Sequence, residues 1–185
     1  LADSSYLWAG EHIEMVNNDG VAEWIIDLDT LFAPGVEIHT SVVAPSGNVV
    51  FVTREFRGSP PLGYWRIFEM DSDGTIIWIE EYQMGAKPIQ AVFVSANHLL
   101  VMGHSMGKNI HLLNLTAQGD SISATITEDE DSQEAAGMLL DSDSNLLIYG
   151  YGDYNLFYLD TLGNVLWKNT LELPDTTLAT HGALS

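Results

Sequence analysis

The chain has 185 residues, the length of one ordinary domain, and its 46% of apolar side chains are enough for a full core. It carries 26 acidic residues against 6 basic ones, a formal charge of −20. That argues against nucleic acid and anionic membrane as partners, because both need Lys and Arg to displace counterions. The absence of cysteine excludes disulfides, thiolate metal sites and thiol nucleophiles. No apolar run nears the roughly 18 residues of a membrane-spanning helix, so membrane insertion is not expected.

The chain opens at Leu1 rather than Met, as a processed or excised segment would. A cysteine-free, Lys/Arg-poor, strongly acidic composition suits a bacterial protein in an extracellular, cell-surface or periplasmic setting. Along the chain, apolar residues come in short runs bounded by Gly, Asn, Asp, Ser and Pro. Examples are Val49-Val50-Phe51-Val52, Ile76-Ile77-Trp78-Ile79, Leu99-Leu100-Val101-Met102 and Leu146-Leu147-Ile148-Tyr149. Such runs, with turn signals about every 8–12 residues, predict an all-β chain. Residues 120–136 lack Gly and Pro but carry no helical apolar stripe, so they read as a strand followed by an acidic loop around Glu128-Asp129-Glu130-Asp131.

A repeat organises these runs. Asn18-Asp19-Gly20 is followed by Trp24, Ser72-Asp73-Gly74 by Trp78, and Thr161-Leu162-Gly163 by Trp167. Ala117-Gln118-Gly119 is a degenerate copy with Ser123 in the Trp place. The glycines are spaced by 54, 45 and 44 residues. Three residues before each stands Asn17, Asp71, Thr116 or Asp160, a short polar side chain able to cap the free N–H groups of a hairpin turn. A second hairpin signature precedes each later copy, at Pro45-Ser46-Gly47-Asn48, Ser95-Ala96-Asn97-His98 and Asp141-Ser142-Asp143-Ser144-Asn145. Each repeat thus offers four antiparallel strands, A to D, in about 45–50 residues, the size of one β-propeller blade.

The blades fall at residues 178–185 plus 4–29, 37–83, 88–128 and 134–173. The segment from 182 round to 10 matches 137–150 in length, so the last strand A would complete the first blade. A closed four-bladed ring and a four-blade segment of a larger propeller both satisfy this register. Trp24, Trp78 and Trp167 are expected to dock blade on blade.

The stretch Phe157-Tyr158-Leu159-Asp160-Thr161-Leu162-Gly163-Asn164-Val165-Leu166-Trp167 resembles bacterial Trp-containing propeller repeats of the secreted delta-60-type and quinoprotein-like families. Ile38-His39-Thr40-Ser41-Val42-Val43 followed by Gly47-Asn48-Val49-Val50 is similar to arylsulfotransferase-like propellers. The resemblance implies the fold and leaves the activity open, since one blade design serves enzymes, scaffolds and adhesins. The three Arg, at 54, 57 and 66, do not reproduce a quinoprotein cofactor set, and six Lys/Arg in all are few for a sulfotransferase.

Candidate site residues follow from this placement. Alignment of the strands A puts His39, Gln90, Ala136 and His181 at equivalent positions facing the channel. His39 and His181 would then bind a transition metal with a carboxylate, or one of them would act as base; the alternative is two half-buried polar residues at strand starts. Asp141, Asp143 and Asn145 resemble the opening of a calcium loop, making calcium a candidate cofactor, but Leu146 stands where such a loop needs Gly, and a hairpin turn is already required there. Tyr64 and Trp65, beside the long Pro/Gly-rich B–C loop, would stack a sugar or dock a protein partner, or simply pack the loop. Gly103-His104-Ser105-Met106-Gly107 mimics a nucleophile elbow but lies between two strands rather than at a strand-to-helix corner. His12, His98, His104 and His111 read as strand-surface residues. The sequence favours a secreted or surface propeller acting as a non-catalytic binding, adhesion or assembly module for a protein or glycan. The alternative is a quinoprotein-like or arylsulfotransferase-like enzyme domain with its site at His39 and His181.

Overall fold

The computed structural model describes residues 4–9, 12–17, 19–32, 34–59, 62–105, 109–127, 135–150 and 155–170. The strands β1 (Ser4–Ala9), β2 (His12–Asn17) and β3 (Ala22–Asp27) form a three-stranded sheet. Three four-stranded sheets follow in chain order. The first holds β4 (Glu37–Val43), β5 (Val49–Arg57), β6 (Leu62–Met70) and β7 (Ile76–Gln83); the second holds β8 (Lys87–Ser95), β9 (His98–His104), β10 (Ile110–Thr116) and β11 (Ser121–Thr127). The third holds β12 (Ala135–Leu140), β13 (Leu146–Gly150), β14 (Asn155–Leu159) and β15 (Val165–Thr170). Neighbouring strands are antiparallel throughout, and the sheets are successive blades, 1 to 4, of an all-β propeller. A one-turn helix, α1 (Leu28–Leu31), capped by the Asp27 carboxylate, links blades 1 and 2, where the residue pattern carries no helical signal.

The C–D turns show why the repeat has its polar residue. Asp71 Oδ1 accepts from the backbone N–H of Asp73 and Thr75, at 3.0 and 2.8 Å. Asn17, Thr116 and Asp160 cap their own turns through side-chain oxygens in the same way. Gly74 closes its turn at φ +80°, a conformation that side chains with a Cβ rarely adopt.

Burial on both faces explains the unbroken apolar runs. On β5, Phe51 packs toward blade 1 with Ile13, Phe68 and Met70, while Val50 and Val52 pack toward blade 3 with Trp65, Leu99, Val101 and Leu113. Alternate residues of blade 3, Leu100, Met102 and Leu112, meet Met138, Ile148 and Phe157 of blade 4. Among the described residues these three seams form the core.

Trp24 and Trp78 dock as the repeat predicts. The Trp24 Nε1–H donates to Ser72 O across the seam (3.1 Å), and a Cβ on Gly74 would stand 3.3 Å from its ring. The Trp78 ring would stand 2.7 Å from a Cβ on Gly119. Trp167 departs from the expectation. It is 43% exposed and stacks on Tyr158 of its own blade, ring centroids 5.3 Å apart. A closed four-blade ring would set Gly20 against Trp167, yet among the described residues a Cβ on Gly20 would meet nothing within 4 Å. The strand expected at 178–185 lies outside the described residues.

Candidate functional site

Four of the six basic residues lie on two blades: Arg54 and Arg57 on β5, Arg66 on β6 and Lys87 at the start of β8. Strand alternation divides the arginines. Arg57 and Arg66 share a face with Glu55 and with Glu81 of β7, and Arg66 lies 4.5 Å over the Phe32 ring beside blade 1. Arg57 Nη2 is 2.6 Å from both Glu55 Oε2 and Glu81 Oε2, while Arg66 Nη2 reaches the same two oxygens at 3.2 and 3.0 Å. The hydrogen bonds from Arg57 hold both carboxyls below their ordinary range, and those carboxylates raise the Arg57 guanidinium in turn. That network is electrostatically closed.

Arg54, on the alternate face, turns to the seam with blade 3. Its guanidinium lies 4.1 Å over the Phe56 ring, its Nε is buried without a hydrogen-bond partner, and burial lowers its pKa. Among the described residues neither Arg54 nor Lys87 makes an ion pair. His39 stands near both. It is the extra residue of a β-bulge in the β4–β5 ladder, between the paired residues Ile38 and Thr40, and bulges re-aim side chains. Burial first, then Lys87 and Arg54, push its pKa down, against a smaller opposing effect of Glu37. A neutral imidazole, an ammonium and a guanidinium thus cluster at one end of the inner strands, in a chain of net charge −20. Such a group suits a carboxylate, sulfate or phosphate.

The bulge also corrects the alignment of inner strands. Ile89 and Ala136 occupy the equivalent bulged positions in blades 3 and 4, so the counterpart of His39 is Ile89 rather than Gln90. Gln90 instead accepts a hydrogen bond from the Met138 N–H of blade 4 (2.8 Å). His181, the expected partner of His39, lies outside the described residues.

Asp141, Asp143 and Asn145 form the A–B turn of blade 4. Asp141 Oδ1 accepts from the N–H groups of Asp143 and Asn145, at 2.8 and 2.9 Å, and the Tyr158 hydroxyl donates to Oδ2. That hydroxyl, followed by the backbone donors, lowers the Asp141 pKa. The uncharged amide of Asn17 makes the same turn contacts, so the turn itself accounts for a side-chain oxygen here without a cation. Among the described residues no three His, Asp or Glu side chains converge as a metal site.

Tyr64 and Trp65 point to opposite sides of β6. The Arg57 guanidinium covers Tyr64 at 5.0 Å. Trp65 is fully buried, donates Nε1–H to Ala86 O (2.8 Å) and packs on Gly103, so it is a core residue rather than a stacking platform. The expected long loop is short: β5 and β6 pair as far as Arg57 and Leu62, leaving only residues 58–61 between them.

Two further polar residues emerge only from the structure. His111 is buried, 7% exposed, with both ring nitrogens unpartnered. Asn114, also buried, accepts from His98 Nε2 (2.7 Å) and donates to Ser123 Oγ and to Thr161 O of blade 4, at 3.1 and 2.9 Å. Their signal in the sequence is a polar residue inside the apolar run Ile110-His111-Leu112-Leu113-Asn114-Leu115. At the turn end of blades 2 and 3 lies a cleft of about 310 Å³ lined by Glu69, Trp78, Phe93, Asn97 and Gln118. Its carboxylate, Glu69, is already engaged by Ser46, Asn48 and Trp78.

No family model and no curated protein matches this sequence. Among solved structures, a protein of unknown function from Bacteroides caccae aligns at 14% identity over 91% of this chain and 57% of its own, with TM-score 0.64. A Synechocystis apocarotenoid oxygenase variant aligns at 12% identity over 90% of this chain and 46% of its own, TM-score 0.53. A streptogramin B lyase aligns at 14% identity over 94% and 67%, TM-score 0.48. At these identities the likeness is one of fold. The chain is a β-propeller of four-stranded blades, spanning little over half the Bacteroides protein and under half the oxygenase.

Proposed function

We propose that this chain is a non-catalytic binding module of a secreted or surface bacterial protein, built from Trp-containing propeller repeats. Its binding site is the inner-strand end at His39, Arg54 and Lys87, which takes an anionic group of a protein or glycan partner. The observation that carries the reading is that Arg54 and Lys87 lack an ion pair among the described residues of a chain with 26 acidic side chains. Cations left unpaired beside a neutral imidazole form a local exception to the repulsion that the whole molecule exerts on anions.

Titration with sodium sulfate against sodium chloride at matched ionic strength tests this. Sulfate should raise the melting temperature of the wild type more than that of Arg54→Gln with Lys87→Gln, in which only its general exclusion from protein surface remains. Equal responses to the two salts in the wild type, or an unchanged sulfate response in the double variant, would overturn the site. A second reading, an enzyme acting on an anionic substrate, draws on His39, whose lowered pKa keeps it available as a proton acceptor. It requires turnover of an anionic ester that is lost in His39→Gln while sulfate binding persists.

A further inference from the structure

In two of the three seams, the carbonyl two residues before the C–D turn glycine takes a hydrogen bond from the preceding blade. Trp24 Nε1–H donates to Ser72 O (3.1 Å), and Asn114 Nδ2 donates to Thr161 O (2.9 Å). The equivalent carbonyl of the middle seam is Ala117 O, and Trp78 is placed to be its donor. The Trp78 indole is turned the other way. Its Cε3 and Cζ3 would face a Cβ on Gly119, where Trp24 sets Cε2 and Cδ2 against Gly74. Its Nε1–H donates to Glu69 Oε2 of its own blade (2.6 Å), and no hydrogen bond among the described residues reaches Ala117 O. Glu69 is itself unusual, a carboxylate only 7% exposed. Its donors are Ser46 Oγ (3.0 Å), Asn48 Nδ2 (2.7 Å) and Trp78, all neutral, and among the described residues no Lys, Arg or His pairs with it. Buried charge normally has a counter-charge. Glu69 and Ala117 both line the cleft of about 310 Å³ at the turn end of blades 2 and 3, together with Trp78, Ile77 and Phe93. Every residue of that lining is described.

We propose that this cleft binds a primary alkylammonium group, which donates to Glu69 and Ala117 O while its stem lies against Trp78 and Phe93. The chemistry of the lining selects that ligand. A carboxylate offers about four acceptor sites, and three neutral donors leave both one site and the whole negative charge to be matched. Aromatic rings beside a carboxylate attract a cation and cover its apolar stem. An ammonium, a compact charge with three rotatable donors, can serve the carboxylate and the carbonyl together. A guanidinium needs two free oxygens for its fork, and both Glu69 oxygens already accept. The group belongs to a free amine or to a lysine side chain of a partner. The site lies at the opposite end of β4 from His39 and does not rest on the anion site there.

The Trp78 indole N–H, bonded to Glu69, reports on the site in two-dimensional NMR. Titration with n-butylammonium chloride at constant ionic strength should shift that resonance saturably. The neutral isostere 1-butanol, and tetramethylammonium, which has no N–H, should each bind about tenfold more weakly or worse. Glu69→Gln should weaken butylammonium by a similar factor. Glu23→Gln removes the same charge from the exposed outer strand of blade 1 and should leave binding unchanged, which separates the cleft from the general attraction of a −20 chain for cations. Ala96→Phe fills the cleft from its exposed rim while keeping Glu69 and its donors, so it should abolish the shift even if Glu69→Gln disturbs the fold. Cadaverine and the capped tripeptide Ala-Lys-Ala distinguish the two sources of the group. Tighter binding of the diamine assigns a free amine, and tighter binding of the peptide assigns a lysine-bearing partner. An indole resonance that does not move with butylammonium overturns the proposal. So does a shift equalled by 1-butanol, or one that persists in Ala96→Phe.

Discussion

The seam between blades 2 and 3 and the seam between blades 3 and 4 come from the same repeat and are held by different chemistry. In the first, the Trp78 ring lies on Gly119, its Nε1–H donates to Glu69, and the Tyr82 hydroxyl donates to Gly119 O. In the second, Ser123 stands in the Trp place, and the space is crossed by hydrogen bonds from Asn114 to Thr161 O and from Thr125 Oγ1 to Leu162 O (2.9 Å). The backbone path is thus compatible with either an aromatic or a polar docking group. What the seams share is a turn glycine covered by the outer strand of the preceding blade. Trp167 sits where no described blade docks on it, so it shows what the same side chain contributes without a neighbour.

That contrast sets the largest expected effect. Trp78→Ala removes a ring seated between two blades and should destabilise by about 3–5 kcal/mol in chemical denaturation. Trp167→Ala removes a ring that mainly stacks on Tyr158 and should cost about 1 kcal/mol in dilute protein. Equal losses at the two positions would break the distinction between a docked and an undocked face.

Asn114 tests the polar seam. Asn114→Ala strips the His98 ring, the Ser123 hydroxyl and the Thr161 carbonyl of a shared partner at a buried site, and should cost about 1–3 kcal/mol. Ser123→Ala removes one of those contacts and should cost about 1 kcal/mol or less. If Ser123→Ala proved as damaging as Asn114→Ala, the hydroxyl rather than the amide would be the joint of this seam.

The blades are legible in the sequence because Gly, the cap residue and Trp recur together, and each of those three has a local physical cause. Trp24 and Trp78 are legible for the same reason. Nothing in the repeat distinguishes Trp167 from them, because whether a docking side chain finds a neighbour depends on a surface remote along the chain. The cluster at His39 is half legible. His39 stands out as a polar residue on an inner strand, whereas Arg54 and Lys87 join it only through the β4 bulge and the approach of the blade 3 inner strand. Trp65 misleads for a related reason. Its neighbours Gly58, Ser59, Pro60 and Pro61 suggest an exposed loop, but β5 and β6 stay paired up to that segment, at Arg57 and Leu62, and the indole is buried.

The smallest effect is absent at neutral pH and concerns the seam between blades 2 and 3. On β10, His111 alternates in phase with Leu113 and Leu115, which pack in that seam, and no hydrogen bond reaches either of its ring nitrogens. Burial, then the nearby His104, lowers its pKa from 6.5, so the folded chain holds this imidazole neutral where the unfolded chain would protonate it. The unfolded state therefore binds more protons below about pH 6.5, and stability falls as the pH drops from there toward the folded-state pKa. The carboxyls held down by Arg57, Glu55 and Glu81, lose their contribution only at lower pH, below the ordinary 4.5. His39 shares the upper window, its pKa lowered by burial, Lys87 and Arg54, so His39→Gln serves as the parallel control. Denaturation midpoints between pH 7 and 5 should slope downward in the wild type and less steeply in His111→Leu, where only the His39 contribution remains, while Asn114→Ala should lower the whole curve without changing its slope. A slope that survives in His111→Leu and disappears in His39→Gln would move the acid-sensitive joint from the seam to the inner-strand cluster.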